Sequence, residues 1–373
     1  MRMSIDARYV NDHFPGIGRY VYNLIDALGP QLGTHRLLVL HNPALINTRH
    51  DIAALARHPN IALVETPLRP FTLAEQRGLP ALLRHLRADL FHAPYYVRPY
   101  AGLPCPAITT LYDAIPRLFP SEVSARARLL FNLLTRLAVR SSQHILAISA
   151  SARADLIAAY GIPAARISVT PLAASPSFMP QPAAAIAGAH ARYGLPERYI
   201  MCLSSNKPHK NLAALVEAFG TLPAASPNLQ LVIAGHWDAR YPEARAAAER
   251  MQIDRRVRFI PGIAEADLPA LLSGAAVFAF PSRYEGFGLP PLEALACGAP
   301  VVCSNTSSLP EVVGDAGILV EPTATAFAPA LARVIGDAAL AAQMRASGPP
   351  HAAQFSWQTT AAATLAAYEQ TLR

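Results

Sequence analysis

Short apolar runs of β type alternate with helix-length amphipathic segments along this 373-residue chain, and the alternation starts afresh past its midpoint. That rhythm belongs to parallel strands joined by crossover helices, with both faces of each sheet buried. In the first half it predicts strands over Met3–Ala7, Leu37–Leu40, Ile61–Val64, Leu90–His92, Ala107–Tyr112 and His144–Ile148. In the second half it predicts Tyr199–Leu203, Leu231–Ala234, Val257–Phe259, Ala276–Phe280, Pro300–Cys303 and Gly317–Val320. Helices are predicted over Gly18–Leu28, Thr72–Arg87, Ala125–Arg140, Asn211–Phe219 and Leu289–Ala296, giving an α/β chain with two sheets of about six strands.

The proline-rich stretch Pro171–Pro196, with its Ala-rich middle, reads as the linker, because Pro interrupts both helix and sheet. We therefore expect domains at 1–178 and 179–357, and a tail helix at 358–373 crossing back to the first domain. A ligand is expected in a cleft between the domains, outside the carboxyl ends of the strands.

With 52% apolar and 15% charged residues, the chain is too hydrophobic for disorder. No run of 18 uncharged apolar residues predicts a membrane-spanning helix, and MRMSIDARYV lacks a signal peptide's apolar core, so a cytoplasmic location is expected. Four cysteines without a C-x-x-C pair argue against a disulfide framework or a zinc site.

Charge is unevenly placed. Residues 1–178 hold 18 Arg and Lys against 10 Asp and Glu, a net of +8, whereas residues 179–373 hold 14 against 15. A positive first half suits an anionic membrane surface, peripherally contacted, or a phosphate-bearing substrate; with no dense basic run, nucleic acid is not expected. Only two of the 32 basic residues are lysines, Lys207 and Lys210, and both lie in SSNKPHKN, where a phosphate would suit a compact ammonium.

The most specific segment is PSRYEGFGLPPLEALACGAPVVCSN, in which seven residues separate Glu285 from Glu293. Gly286 and Gly288 allow close backbone approach, and a helix starting near Leu289 would turn amides toward an anion. Glu293 suits a vicinal diol such as a ribose, and Glu285 a sugar hydroxyl. As isolated carboxylates they would read as a helix-start residue and a solvated helix residue, or as a hydrolase's acid and nucleophile. Beside phosphate-binding features they fit better as ligand clamps.

From Leu268 to Glu321 the sequence resembles the donor half of the retaining GT-B glycosyltransferases of family 4 (group 1), whose signature is Glu, seven residues, Glu. The likeness continues through SSNKPHKNL, FHAPYY, TLYDAIP and FSWQTTA, so it spans nearly the whole chain. It implies two Rossmann-like domains facing across a cleft. By this likeness Lys210 contacts the donor diphosphate, Glu293 holds the nucleotide ribose and Glu285 touches the donor sugar. The amides of Gly286, Phe287, Gly288 and Leu289 cradle sugar and phosphate, and Gly16 and Gly18 form the glycine-rich loop after the first strand.

Two departures stand out. Ser204 and Ser205 occupy the place of an Arg found in many members, leaving Lys207 as a candidate second charge. Tyr112-Asp113 stands where many members carry His-Asp; a phenol hydrogen-bonds a sugar but does no imidazole chemistry. Asp113 is a candidate catalytic residue with Lys210 and Glu285, touching acceptor or donor, and Tyr112, with His92 and Tyr95 of FHAPYY, is a candidate contact to the acceptor. Arg126, Arg128, Arg136 and Arg140 punctuate ARLLFNLLTRLAV, which reads either as a packed helix with a solvated basic face or as a membrane-docking helix.

No Asp-x-Asp pair for a divalent ion is found, so metal-independent transfer without a cofactor is expected, the nucleotide sugar being a substrate. The likeness is greatest to the mannosyltransferase-like branch that builds bacterial surface polysaccharides. GDP-mannose is therefore the first donor, and a saccharide or polyprenyl-diphosphate-linked saccharide the acceptor. UDP- or dTDP-sugars, a GT-B sugar-nucleotide epimerase and a silent binding scaffold are the alternatives.

Overall fold

The computed structural model describes residues 1–222 and 228–373, which divide into two compact units. The first is Met1–Leu172 with Ser356–Arg373, and the second is Ala173–Phe355.

The first unit is built on seven parallel strands: β1 (Arg2–Asp6), β2 (Arg36–His41), β3 (Ile61–Glu65), β4 (Leu90–Ala93), β5 (Ala107–Leu111), β6 (His144–Ala147) and β7 (Ile167–Val169). Their order is β3-β2-β1-β4-β5-β6-β7. Every residue of β4, β5 and β6 is buried, His92, Thr109, Thr110 and His144 included, so these strands do not alternate between an apolar and a solvated face. Six of the seven strands were expected. The seventh, β7, is three residues long and pairs with β6 at the sheet edge.

The second unit holds six parallel strands, β8 (Tyr199–Leu203), β9 (Gln230–Ala234), β10 (Val257–Ile260), β11 (Val277–Phe280), β12 (Val301–Ser304) and β13 (Ile318–Val320), in the order β10-β9-β8-β11-β12-β13. In each unit the chain adds two strands to one side of its first strand and then returns to the other side. The switch points fall between β1 and β4 and between β8 and β11, and loops leaving the carboxyl ends of those strands diverge there to leave room for a ligand.

Three expectations give way to local chemistry. The first helix begins at Pro15, because a proline at the first helical position loses no hydrogen bond. Gly16 and Gly18 therefore lie in the first turn of Pro15–Leu28 and not in a loop. A Cβ on Gly18 would sit 3.2 Å from the Tyr9 carbonyl oxygen, so this glycine serves packing, while Gly16 is exposed with open space around it. In the proline-rich stretch the Ala-rich middle forms the helix Ala183–Tyr193, closed by Gly194 at φ 60°, and it belongs to the second unit.

The tail forms the helix Trp357–Leu372, capped by Ser356, whose hydroxyl accepts from the Thr359 amide. It packs on Pro15–Leu28 within the first unit, burying Trp357 and Tyr368. Cys202, Cys297 and Cys303 are buried, and burial pushes the thiols of Cys202 and Cys297 up to about 12, so they pack as small hydrophobes.

One buried ionic group ties the end of β1 to the first turn of helix Leu73–His85 and the loop before it. The Arg8 guanidinium donates to Asp6 at 2.6 Å and to Glu75 at 2.5 Å, and all three side chains are fully buried. The other Glu75 oxygen accepts from the Phe71 amide at 3.1 Å, where Phe71 takes the left-handed φ of 65°. Burial pushes the Glu75 carboxyl up to about 7, against the attraction of Arg8. The folded chain thus binds a proton that the unfolded chain releases near 4.5, so this contribution to stability is complete below that pH and is lost as pH rises through about 7. Urea midpoints are expected to fall between about pH 5 and about pH 8 in the wild type, and Glu75→Gln to flatten that dependence. An unchanged slope in the variant would assign the titration elsewhere.

Candidate active site

Lys210 ends the 3-10 turn Pro208–Lys210 that leaves β8, and Glu285 lies in the loop that leaves β11. Because β8 and β11 flank the switch point, residues 75 apart in sequence meet: the Lys210 ammonium lies 2.7 and 2.8 Å from the two Glu285 oxygens. Their side chains are 18% and 12% exposed, so the pair is reachable but largely desolvated.

The two loops are stitched through the main chain. The Arg283 amide donates to the His209 carbonyl at 2.7 Å. Asn211, held at φ 57°, donates its side-chain amide to the carbonyls of Pro281 at 3.1 Å and Pro322 at 2.8 Å. A third loop, after β12, fixes the glutamate backbone. The Ser307 hydroxyl accepts from the Glu285 amide at 2.9 Å, and the Ser308 hydroxyl reaches the carbonyls of Glu285 at 2.9 Å and Phe287 at 2.6 Å.

Gly288 has φ 110°, and a Cβ there would lie 2.8 Å from a Leu309 methyl group, so no other residue fits without displacement. It precedes the helix Leu289–Ala296, whose second and third residues are Pro290 and Pro291. Prolines carry no N–H, so the donors that this helix start turns on an anion are confined to the Gly286–Leu289 stretch. Glu293 is only 2% exposed, which sets aside the reading of a solvated helix residue. Lys207 is exposed and lines a recess of about 190 Å³ with Asn206, Glu243 and Arg283; no hydrogen bond joins it to Glu285 among the described residues.

In the first unit, Tyr95, Tyr112 and Asp113 line a cavity of about 230 Å³ together with Ile17, Tyr96, Phe131 and Thr135. Tyr95 packs on Tyr96 and Tyr9 with ring centroids 4.3 and 5.4 Å apart, and on Tyr112 at 6.5 Å. The buried Tyr112 hydroxyl has no hydrogen-bond partner among the described residues, and burial raises its pKa far above the ordinary phenol value, so it stays a neutral donor. One Asp113 oxygen accepts from the Ile115 amide at 2.9 Å, starting the turn Ile115–Leu118.

His92 does not reach this cavity. It is fully buried, with one ring nitrogen 2.6 Å from the Tyr368 hydroxyl and the other 2.8 Å from the Thr110 hydroxyl, and burial pushes its pKa down to about 3. It therefore joins β4, β5 and the C-terminal helix as a neutral residue, and the expectation of an acceptor contact is corrected. The partner that decides this lies 276 residues away in sequence.

Family models described as "Glycosyl transferases group 1" and "Glycosyltransferase Family 4" match residues 190–350 and 15–177. The O-antigen chain mannosyltransferase B of Escherichia coli is 30% identical over 376 residues, covering 95% of this chain and 96% of that one. The chain belongs to the group 1, family 4 glycosyltransferases. Solved structures agree on the fold. Sucrose-phosphate synthase from Thermosynechococcus elongatus superposes with a TM-score of 0.75 at 20% identity, covering 99% of this chain and 98% of that one. Anabaena Alr3699/HepE in complex with UDP and glucose gives 0.74 at 21% identity, covering 99% and 100%.

In this glycosyltransferase, sequence reasoning missed Ser307 and Ser308, which set the Glu285 backbone, and Tyr96, Phe131 and Thr135, which complete the first-unit cavity. A signal existed for the last pair. Phe131 and Thr135 are four apart on helix Ala125–Arg140 and so share a face. No group of three or more His, Cys, Asp or Glu side chains is placed to hold a metal among the described residues. Tyr368→Phe is expected to cost about 1 kcal/mol of stability in urea unfolding while leaving kcat and KM unchanged. A raised acceptor KM at full stability would return His92 to the site.

Proposed function

We propose that this glycosyltransferase moves mannose from GDP-mannose, with retention of configuration and without a metal ion, to a saccharide or lipid-linked saccharide acceptor in surface polysaccharide synthesis. The observation that carries the reading is the Lys210–Glu285 pair at the switch point of the second unit. An ammonium has three N–H donors; two are directed at Glu285, which leaves the third for a diphosphate oxygen. Glu285, oriented by Ser307 and Ser308, would accept from a hydroxyl of the donor sugar, and the buried Glu293 would accept from the ribose. The resemblance to an O-antigen mannosyltransferase over nearly the full length of both chains supports mannose as the first choice.

In the proposed step the bond from the sugar C1 to the diphosphate oxygen breaks, and a bond from C1 to the acceptor oxygen forms on the same face. The acceptor proton passes to the departing diphosphate. Lys210 offsets the charge growing on that diphosphate, together with the amides before Pro290. No side chain is assigned as a nucleophile. The Tyr95–Tyr112–Asp113 cavity, a ring-lined recess of a size for one sugar, is assigned to the acceptor, with Tyr112 donating its unpartnered hydroxyl. An acceptor carried on a polyprenyl diphosphate would place the work at the inner face of a membrane.

A thermal-shift screen of GDP-, UDP-, ADP- and dTDP-sugars with and without EDTA tests the donor, since a ligand that binds only the folded chain raises its melting temperature. GDP-mannose is expected to stabilise the protein in EDTA, and Lys210→Ala to abolish the shift and lower kcat/KM by about a hundredfold or more. Selective stabilisation by a UDP-sugar would overturn the donor, and dependence on a divalent ion would overturn metal independence. Donor binding without turnover that Glu285→Ala leaves unaltered would favour the silent scaffold.

A further inference from the structure

Helix Ala125–Arg140 has two faces of opposite use. Its inner face is fixed: Phe131 packs edge-on against Tyr96 at 4.9 Å, Thr135 is buried, and Arg98, itself fully buried, donates to the carbonyl of Ala138 at 3.2 Å and to the hydroxyls of Ser141 and Ser142. A cation on the last carbonyls also suits the helix dipole. The first turn is capped by Ser124, whose hydroxyl accepts from the Ala127 amide. The helix is therefore held at both ends and along its inner stripe.

The outer face carries Leu129, Leu130 and Leu133, which are 71%, 52% and 52% exposed. Three leucines within five residues on a well-anchored helix form a patch and not scattered surface apolar residues. Arg126 lies before them, Arg136 and Arg140 beyond, all exposed, and the helix contains no Asp or Glu. An apolar strip between cations is complementary to an anionic bilayer, in which headgroups meet the guanidinium groups and leucines enter the acyl boundary. Nucleic acid would leave the leucines unmatched. The net +8 of residues 1–178 adds a longer-range attraction of the same sign.

We infer that helix Ala125–Arg140 docks the protein on an anionic lipid surface, with Leu129, Leu130 and Leu133 inserted and Arg126, Arg136 and Arg140 at the headgroups. The opposite side of the same helix supplies Phe131 and Thr135 to the cavity assigned to the acceptor, so one rigid element would stand between the lipid and that cavity. The purpose of this arrangement rests on a lipid-linked acceptor, but its test does not, because vesicle binding is measured without donor or acceptor.

The test is sedimentation of the full chain with vesicles of phosphatidylcholine alone and of phosphatidylcholine with phosphatidylglycerol in equal parts. Binding to the mixed vesicles alone is expected, weakening as salt shortens the screening length from about 10 Å at 0.1 M to about 3 Å at 1 M. The triple variant Leu129→Ser, Leu130→Ser, Leu133→Ser is expected to lose about tenfold or more in partitioning. Each of Arg126→Gln, Arg136→Gln and Arg140→Gln is expected to lose about fivefold. Melting temperatures should stay at the wild-type value, since all six side chains are exposed. Wild-type binding by the leucine variant, equal binding to both vesicles, or no binding to either overturns the inference. So does a wild-type dimer that the leucine variant dissociates, which would make the patch a contact between copies.

Discussion

The return of the chain to the far side of β8 is the constraint on which the candidate active site depends. A parallel sheet that grew in one direction only would cover the carboxyl end of every strand with the next crossover. Here β9 and β10 extend one side, and β11 to β13 the other, so the loops after β8 and β11 part at their carboxyl ends. Lys210 and Glu285 occupy those loops, which are held by the His209 carbonyl and by side-chain bonds from Asn211, Ser307 and Ser308 to the main chain. Such support matters because an ammonium and a carboxylate on mobile loops would spend their attraction on ordering long side chains. The pair is largely withdrawn from water.

The first unit repeats the topology with different chemistry. Its switch point between β1 and β4 is filled by rings, with Tyr9, Phe14 and Tyr95 mutually in contact and Tyr112 beyond them. Below them Arg8, Asp6 and Glu75 form a buried ionic group, which anchors the Phe71 backbone in its left-handed conformation. A ring-lined recess with few charges suits the apolar faces and hydroxyls of a sugar, as a lysine beside glycine-loop amides suits a diphosphate. The same topology thus presents two different sets of side chains, decided by the residues at equivalent strand ends.

Much of this was legible in the chain because parallel strands buried on both faces are largely apolar, and the turns around Lys210 and Glu285 need particular residues. The helices Ala125–Arg140 and Leu289–Ala296 span the residues that the sequence pattern predicts. Less was legible where a short segment borrows its stability from neighbours. Strand β7 exists because β6 offers an edge, and Gly18 is small because the Tyr9 carbonyl is close. His92 shows the limit most directly: the sequence placed it at a strand end near a binding loop, and only the partners Thr110 and Tyr368 show it to be a buried, neutral tie.

By itself the sequence determined the α/β class, the two sheets and the candidate donor motif. These follow from periodicity and from residue types whose backbone demands are local. Tertiary structure alone decided that Lys210 meets Glu285 while Lys207 lines another recess, that Phe131 and Thr135 join the tyrosines of the loops after β4 and β5, and that the leucines on the other face of their helix stay exposed. Each depends on which strand ends lie side by side and which helix face finds a neighbour, and that is set by packing across hundreds of residues.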